Sequence, residues 1–368
     1  MWRGRIASLL AAPRGFVGSI ALAGTTLGCG GSSSSDGPTT PEEQVPLAPA
    51  LESVPFQLLG SGKIAFERIV KDGGVFATYV VDATAAKSTH TFVNQVVTGV
   101  SLSPDGQRLA YVARASVDSP FDVYVADVDG TQAQHVTGFP VSSGAPTWTP
   151  DGTRIVEASG ATAAWNVYSQ SPVAEAGDRA QLTQFIVTPG TAVVCPVLTL
   201  GDVGRVGISS GGRIAFACLA AEIDVSSSGT FSAAYQPSRT DRRHWPNVYA
   251  PSWSPDGTRI AFIETTSDSA TNYSLLSLAL KVMDADGSGA TTLASIPMPA
   301  GSDAFAGGAW AGYNNLSLCW MPDGSRLVFN VPESQSVGHL WVVRADGGGL
   351  AQFTTSPGVW DRSVSCSR

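Results

Sequence analysis

Between Ser238 and Asn247 the chain reads SRTDRRHWPN, placing three arginines, Asp241, His244 and Trp245 within ten residues. The chain as a whole carries 30 acidic against 22 basic side chains, so this basic cluster runs against its surroundings. Guanidinium groups hold carboxylates through paired N–H donors, and a neighbouring indole adds apolar contact area. Arg242, Arg243, His244 and Trp245 are therefore candidates for gripping a carboxylate-bearing peptide or sugar. The bland counterpart is a solvated basic loop whose Trp245 packs on its neighbour.

Two other stretches have the form of known chemistry and lose to simpler readings. Gly207-Ile208-Ser209-Ser210-Gly211 has the spacing of a nucleophile elbow, which requires a strand before the serine and a helix after it. The strand-like RIAFAC follows at once, so a turn is expected. Asp284-Ala285-Asp286-Gly287-Ser288-Gly289 resembles the start of a calcium loop, but the twelfth position is Ser295 where a bidentate glutamate is needed. The four histidines lie far apart and form no metal motif. No metal and no cofactor is expected.

The elements that must position the cluster come from a repeat. SWSPDGTRIAFIET, residues 252–265, joins a tryptophan, a Pro-Asp-Gly turn, a basic residue and an apolar run. Proline presets φ at the second turn position, aspartate bonds nearby amides and glycine accepts positive φ. The basic residue recurs as Lys63, Arg108, Arg154, Arg213, Arg259 and Arg326, at spacings of 45, 46, 59, 46 and 67 residues. Three copies carry Trp148, Trp253 and Trp320 at the same offset before the turn, read as packing residues between inner strands. Each copy also has a second half of strand, Asp-Gly turn and strand, as in DVYVADVDGTQAQHVT (122–137). Two hairpins per copy at this period predict an all-β fold, a single six-bladed β-propeller of four-stranded antiparallel blades over residues 59–368. GVWDRSVSCSR (358–368) has the length and pattern of the inner strand that blade one lacks, so it is expected to close the ring.

The W-S-P-D-G-x-[KR]-[IL]-A-F phrase with its later Asp-Gly turn resembles the TolB-type β-propeller repeat, over residues 59–368. The resemblance implies a propeller fold, and similar repeats serve in periplasmic scaffolds, in peptidase propeller domains and in some polysaccharide lyases. The small α/β domain that precedes the TolB propeller has no counterpart in this sequence.

Residues 1–28 have a basic start at Arg3, Arg5 and Arg14 and a short apolar run from Phe16 to Leu27, the pattern of an export signal. Thr26-Leu27-Gly28-Cys29 resembles a lipoprotein box, making Cys29 the expected lipidated residue; ordinary cleavage after Ala23 is the alternative. Residues 29–58 are then a flexible Gly/Ser/Pro-rich tether. Setting Cys29 aside leaves four cysteines, an even number that suits an oxidising compartment. Cys195 and Cys218 fall on adjacent strands of blade four, leaving Cys319 to bond Cys366. Beyond residue 28 the net charge is −11, which excludes nucleic acid and a polybasic membrane patch as partners.

In a propeller, connections into inner strands gather on one face, and loops on a rigid scaffold are where binding lives. That face would hold Arg242, Arg243, His244 and Trp245 together with Tyr313, Trp360 and Arg362. The favoured reading is a non-enzymatic, monomeric lipoprotein of the bacterial cell envelope, its propeller face binding an envelope protein or peptide and its N-terminal lipid in the membrane. The alternatives are a polysaccharide lyase or hydrolase with His244 at the central channel, and a purely structural module.

Overall fold

The computed structural model describes residues 48, 50–70, 75–92, 97–113, 122–136, 145–161, 164–173, 177–183, 206–218, 222–227, 230–238, 241, 243–271, 274–298, 316–334 and 337–368. These form antiparallel sheets with two short 3-10 turns, Phe56–Leu58 and Ser269–Thr271. Lys63–Val70 (β1), Val75–Asp82 (β2) and Lys87–Thr91 (β3) come first. Four separate four-stranded sheets follow. They are Val97–Leu102, Arg108–Ala113, Asp122–Asp127 and Gln134–His135 (β4–β7), then Thr147–Trp148, Ile155–Ala161, Ala164–Gln170 and Ala180–Gln181 (β8–β11). The third is Gly207–Ile208, Ile214–Cys218, Glu222–Ser227 and Thr230–Tyr235 (β12–β15). The fourth is His244–Trp253, Arg259–Asp268, Ser274–Asp284 and Thr291–Pro297 (β16–β19).

The remaining strands are Leu318–Trp320, Arg326–Ser334, Val337–Arg344 and Ala351–Gln352 (β20–β23) and Val359–Cys366 (β24). β24 runs antiparallel to β1, from Ile64 opposite Cys366 to Val70 opposite Val359. It also touches β22 through one parallel bridge, Gly338 to Trp360. That bridge merges the first and last strand sets into a single eight-stranded sheet. Six separate four-stranded sheets are thus not what is observed; four stand alone, because the Gly338–Trp360 bridge joins the others into one.

The repeat phrase explains itself in three dimensions. In each hairpin the residue after the tryptophan slot bonds back to the basic residue: Ser103 N–H to the Arg108 carbonyl, Thr149 to Arg154, Ser254 to Arg259, each at 2.9 Å. Ser367 N–H makes the same 2.9 Å bond to the Lys63 carbonyl, although the two lie at opposite ends of the described chain. In the turn itself Asp256 accepts from the Ser254 hydroxyl and the Thr258 amide, and Gly257 takes φ +71°. A side chain there would be strained.

The basic residue of one sheet lies over the tryptophan of the next. Arg108 sits 4.7 Å from the Trp148 ring centre, Arg213 5.1 Å from Trp253 and Arg259 4.9 Å from Trp320. Such stacking contributes about 0.5–2 kcal/mol each. All three tryptophans are buried. Apolar cores lie between neighbouring sheets: Ala110, Val112 and Val125 meet Trp148 and Ile155, while Ile223 and Val225 meet Trp253 and Phe262. The β4–β7 sheet is covered on both faces, by residues of β1 and β2 on one side and by Trp148 and Ile155 on the other, which is why β5 reads as an unbroken apolar run.

One boundary shifts. Residues expected to belong to the tether pack on the β-domain: Val54 is buried, and Glu52 pairs with Arg68 of β1 at 2.6 Å. An apolar side chain and a carboxylate with fixed partners order that segment. Ser209 and Asp286 also resolve as turn residues. The Ser209 hydroxyl accepts the Arg213 N–H at 2.9 Å, and Asp286 accepts the Ser288 N–H at 2.9 Å.

Candidate binding sites at the strand entrance and in the channel

The Arg/His cluster sits where the chain enters β16. Asp241 organises it, its Oδ1 accepting the backbone N–H groups of Arg243 and His244, each at 2.7 Å. Its Oδ2 lies 2.6 Å from His244 Nδ1. Those bonds, the His244 amide first and its ring second, hold the Asp241 carboxyl down at about 2. Arg243 forks onto Asp268 at the end of β17, with Nε 2.7 Å from Oδ1 and Nη2 bonded to Oδ2. The guanidinium drags the Asp268 carboxyl down to about 2. The Arg243 side chain is still 57% exposed, so one face of the fork remains open to a ligand.

Of the other expected site residues, Trp245 stands on β16 opposite Ser267. Arg242 and Tyr313 lie outside the described residues, as do Cys29 and Cys195, and the Cys218 side chain is likewise outside them. Trp360 and Arg362 lie on β24. Arg362 Nε donates to Glu67 at 3.0 Å, and the other Glu67 oxygen accepts the Val100 N–H at 3.1 Å. Arg362 therefore helps tie β24 and β1 to β4. The Trp360 indole nitrogen is buried and has no hydrogen-bond partner among the described residues. Cys319 and Cys366 are joined by a disulfide, with Cα atoms 5.6 Å apart, linking β20 to β24.

Strands β4, β8, β12, β16 and β20, together with β24 beside β1, face one cavity. Its lining includes Leu102, Trp148, Gly207, Trp253, Trp320 and Cys366, from β4, β8, β12, β16, β20 and β24 in turn. This is a central channel, the mark of a propeller. Arg368 closes it at the Pro-Asp-Gly end. Its N–H bonds the Pro104 carbonyl at 2.9 Å and its Nη1 reaches across to the Ile208 carbonyl at 3.1 Å. Sequence reasoning missed Arg368, although a signal existed: Cys366-Ser367-Arg368 is in register with Trp253-Ser254-Pro255, so arginine fills a proline slot. Among the described residues, no group of three or more His, Cys, Asp and Glu side chains is placed to hold a metal ion.

No family model matches the chain, and no curated protein matches it. Solved structures do. TolB from Acinetobacter baumannii superposes with a TM-score of 0.59 at 15% identity, over 83% of this chain and 66% of that one. The fold is the TolB-type β-propeller. Hydrazine synthase from Kuenenia stuttgartiensis also superposes, with a TM-score of 0.52 at 10% identity, over 83% of this chain and 46% of that one. This chain thus spans just under two thirds of the A. baumannii TolB structure. At these identities the TolB-type likeness is one of fold. An oligogalacturonate lyase in complex with manganese matches at a TM-score of 0.47 and 13% identity, over 80% of this chain and 81% of that one.

Proposed function

We propose that this TolB-type propeller is a non-enzymatic binding module of the cell envelope, which captures an acidic segment of a protein or peptide at the end where inner strands begin. The observation that carries this reading is the Arg243 fork, fixed by Asp268 yet 57% exposed, beside the ordered His244–Asp241 pair. A preset guanidinium costs little to order on binding and selects carboxylates by geometry. Arg242, Trp245, Tyr313, Trp360 and Arg362 complete the proposed face, and the net charge of −11 beyond residue 28 makes a basic spot there selective. The proposal includes six blades, with the eight-stranded sheet counted as two joined at the Gly338–Trp360 bridge. It also includes lipidation at Cys29, a Cys195–Cys218 bond and a monomeric state. The proposed membrane attachment is the lipid at Cys29; no helix among the described residues is long and apolar enough to cross a membrane.

The test is capture of an acidic peptide, and of envelope polypeptides, by immobilised protein. Wild type should retain both saturably, and Arg242→Glu combined with Arg243→Gln should lose both while melting as wild type does. Equal capture by the variant overturns the assignment of this face.

A further inference from the structure

His339 is a buried histidine with a partner at each ring nitrogen. It lies on β22 opposite Val331 of β21 and is 5% exposed. Its Nδ1 is 2.8 Å from Glu333 Oε1, and its Nε2 is 2.9 Å from the Ser356 carbonyl oxygen. A carboxylate and a carbonyl both accept, while a neutral imidazole has one N–H to give. Neither neutral tautomer can make both bonds. A ring with two protons makes both. A proton sitting instead on Glu333 and donated to Nδ1 is the same proton in the same bond, so the pair still holds it.

Ser356 lies in the connection from β23 to β24, just ahead of the closing strand. The N–H groups of Thr355 and Ser356 go to Glu52 Oε1, at 2.9 and 3.2 Å, and Glu52 and Asp361 share the Arg68 guanidinium. The charged groups around the ring are therefore Glu333 on β21, Glu52 ahead of β1, Asp361 on β24 and, as the fixed cation among the described residues of this network, Arg68 on β1. Three carboxylates against one guanidinium leave an excess of negative charge, which favours a positive ring. We propose that His339 is a proton-operated latch on the seam where β24 enters the ring of sheets. With two ring protons it ties β21 to the connection ahead of β24. With one it must release either Glu333 or the Ser356 carbonyl. Release loosens the segment that carries the Thr355 and Ser356 amides, and with it their hold on Glu52. Imidazole is the side chain that changes charge between about pH 5 and 8. The second ring proton completes a bond in the native chain, so the latch holds at the acid end of that range and lets go as pH rises.

The test combines two readouts on the full chain. The first is the ring 15N spectrum of labelled histidine between pH 5 and 8, with the His339 signals assigned by their loss in His339→Gln. At the acid end both nitrogens should show the shifts of a doubly protonated ring. The second is hydrogen-exchange protection of the Thr355 and Ser356 amides, corrected for the intrinsic effect of pH on exchange. Protection should fall about tenfold as the ring loses its proton, the equivalent of one charge-assisted bond. In His339→Gln, which keeps an amide donor and does not titrate, protection should stay level across the range. Glu333→Gln, at a half-exposed position, removes one carboxylate and should move both transitions to lower pH together. A His339 ring with a single proton at pH 5 overturns the proposal. So does protection that holds steady while the ring loses its proton, or that falls equally in His339→Gln.

Discussion

Arg68 and Arg368 are both drawn away from water, and their surroundings could hardly differ more. Arg68, on β1, is 2% exposed and forks onto Asp361 of β24, Nε to Oδ1 at 2.6 Å and Nη2 to Oδ2 at 2.7 Å. Glu52 takes Nη1 at 2.6 Å, and the Phe66 and Tyr79 rings lie 5.7 and 5.3 Å away. Burial alone would lower its pKa, but the bonds to Asp361 and Glu52 outweigh burial and raise it. Arg368 has burial with no aspartate or glutamate pairing among the described residues, and moves the other way. A buried guanidinium whose donors are met within the chain is part of the fold.

The sharpest way to break that contrast is to remove each arginine in turn. Arg68→Met strands Asp361 and Glu52 in the seam between β1 and β24, and should cost about 3–5 kcal/mol in urea denaturation. Arg368→Met strands no carboxylate and should leave stability unchanged or raise it. Comparable losses from both would make Arg368 a fold residue. Acid adds a second readout. Burial would raise the Glu52 carboxyl, but bonds from Arg68, Ser356 and Thr355 hold it at about 2. A carboxylate held below its unfolded value of about 4.3 stabilises above that pH, and the contribution is lost as pH falls toward 2. Glu52→Gln should flatten stability across that window.

The tryptophans offer the same contrast on a smaller scale. Trp320→Phe removes an indole N–H bonded to Ser252, whereas Trp253→Phe removes one without a partner among the described residues. Both lose similar apolar area and both lie under an arginine. The Trp320 variant should therefore be less stable by about 1 kcal/mol more than the Trp253 variant, by chemical denaturation. Equal losses would mean that the Trp253 indole is satisfied after all.

Much of this was legible in the sequence. The Pro-Asp-Gly turns, the basic residue after each and the three tryptophans follow from local rules, because turn chemistry and strand pattern act over a few residues. The closing strand was legible too, since SVSC-S repeats the apolar-then-serine order that precedes each turn. What no local rule reports is how charges pair across the ring. Arg362 meets Glu67, 295 positions away in the chain, and Arg68 meets Asp361 at a separation of 293. Nothing near Glu52 in sequence marks it as the end of a tether and the start of a packed segment. Arg368 was overlooked because a lone arginine is ordinarily solvated; only the ring places it in a channel.

Asp224 on β14 extends the comparison to an acid that is buried and poorly compensated. Burial first, and the nearby Glu222 charge second, push its carboxyl up to about 6. Its unfolded value is about 3.9, so between about pH 4 and 6 the native chain binds the extra proton. Stability from this group is full below pH 4 and falls as pH rises through 6. Asp224→Asn should abolish that slope and melt higher than wild type at pH 7. A wild-type stability that rises between pH 4 and 6, with no change in the variant, would remove Asp224 from the set.

Arg243 should give the smallest stability effect, and it bounds the comparison from the solvent side. Its fork is paired, like that of Arg68, but the pair stands at a loop with the guanidinium side chain 57% exposed against 1% for Arg68. Exposed pairs are weakened by water and by salt, and contribute little. Arg243→Gln keeps an amide donor for Asp268, so its melting temperature should match wild type at both low and high salt. Capture of an acidic peptide should weaken in the same variant, and in wild type should weaken as salt rises. A clear drop in melting temperature with unchanged capture would place Arg243 with Arg68, as a residue whose bonds are spent on the fold.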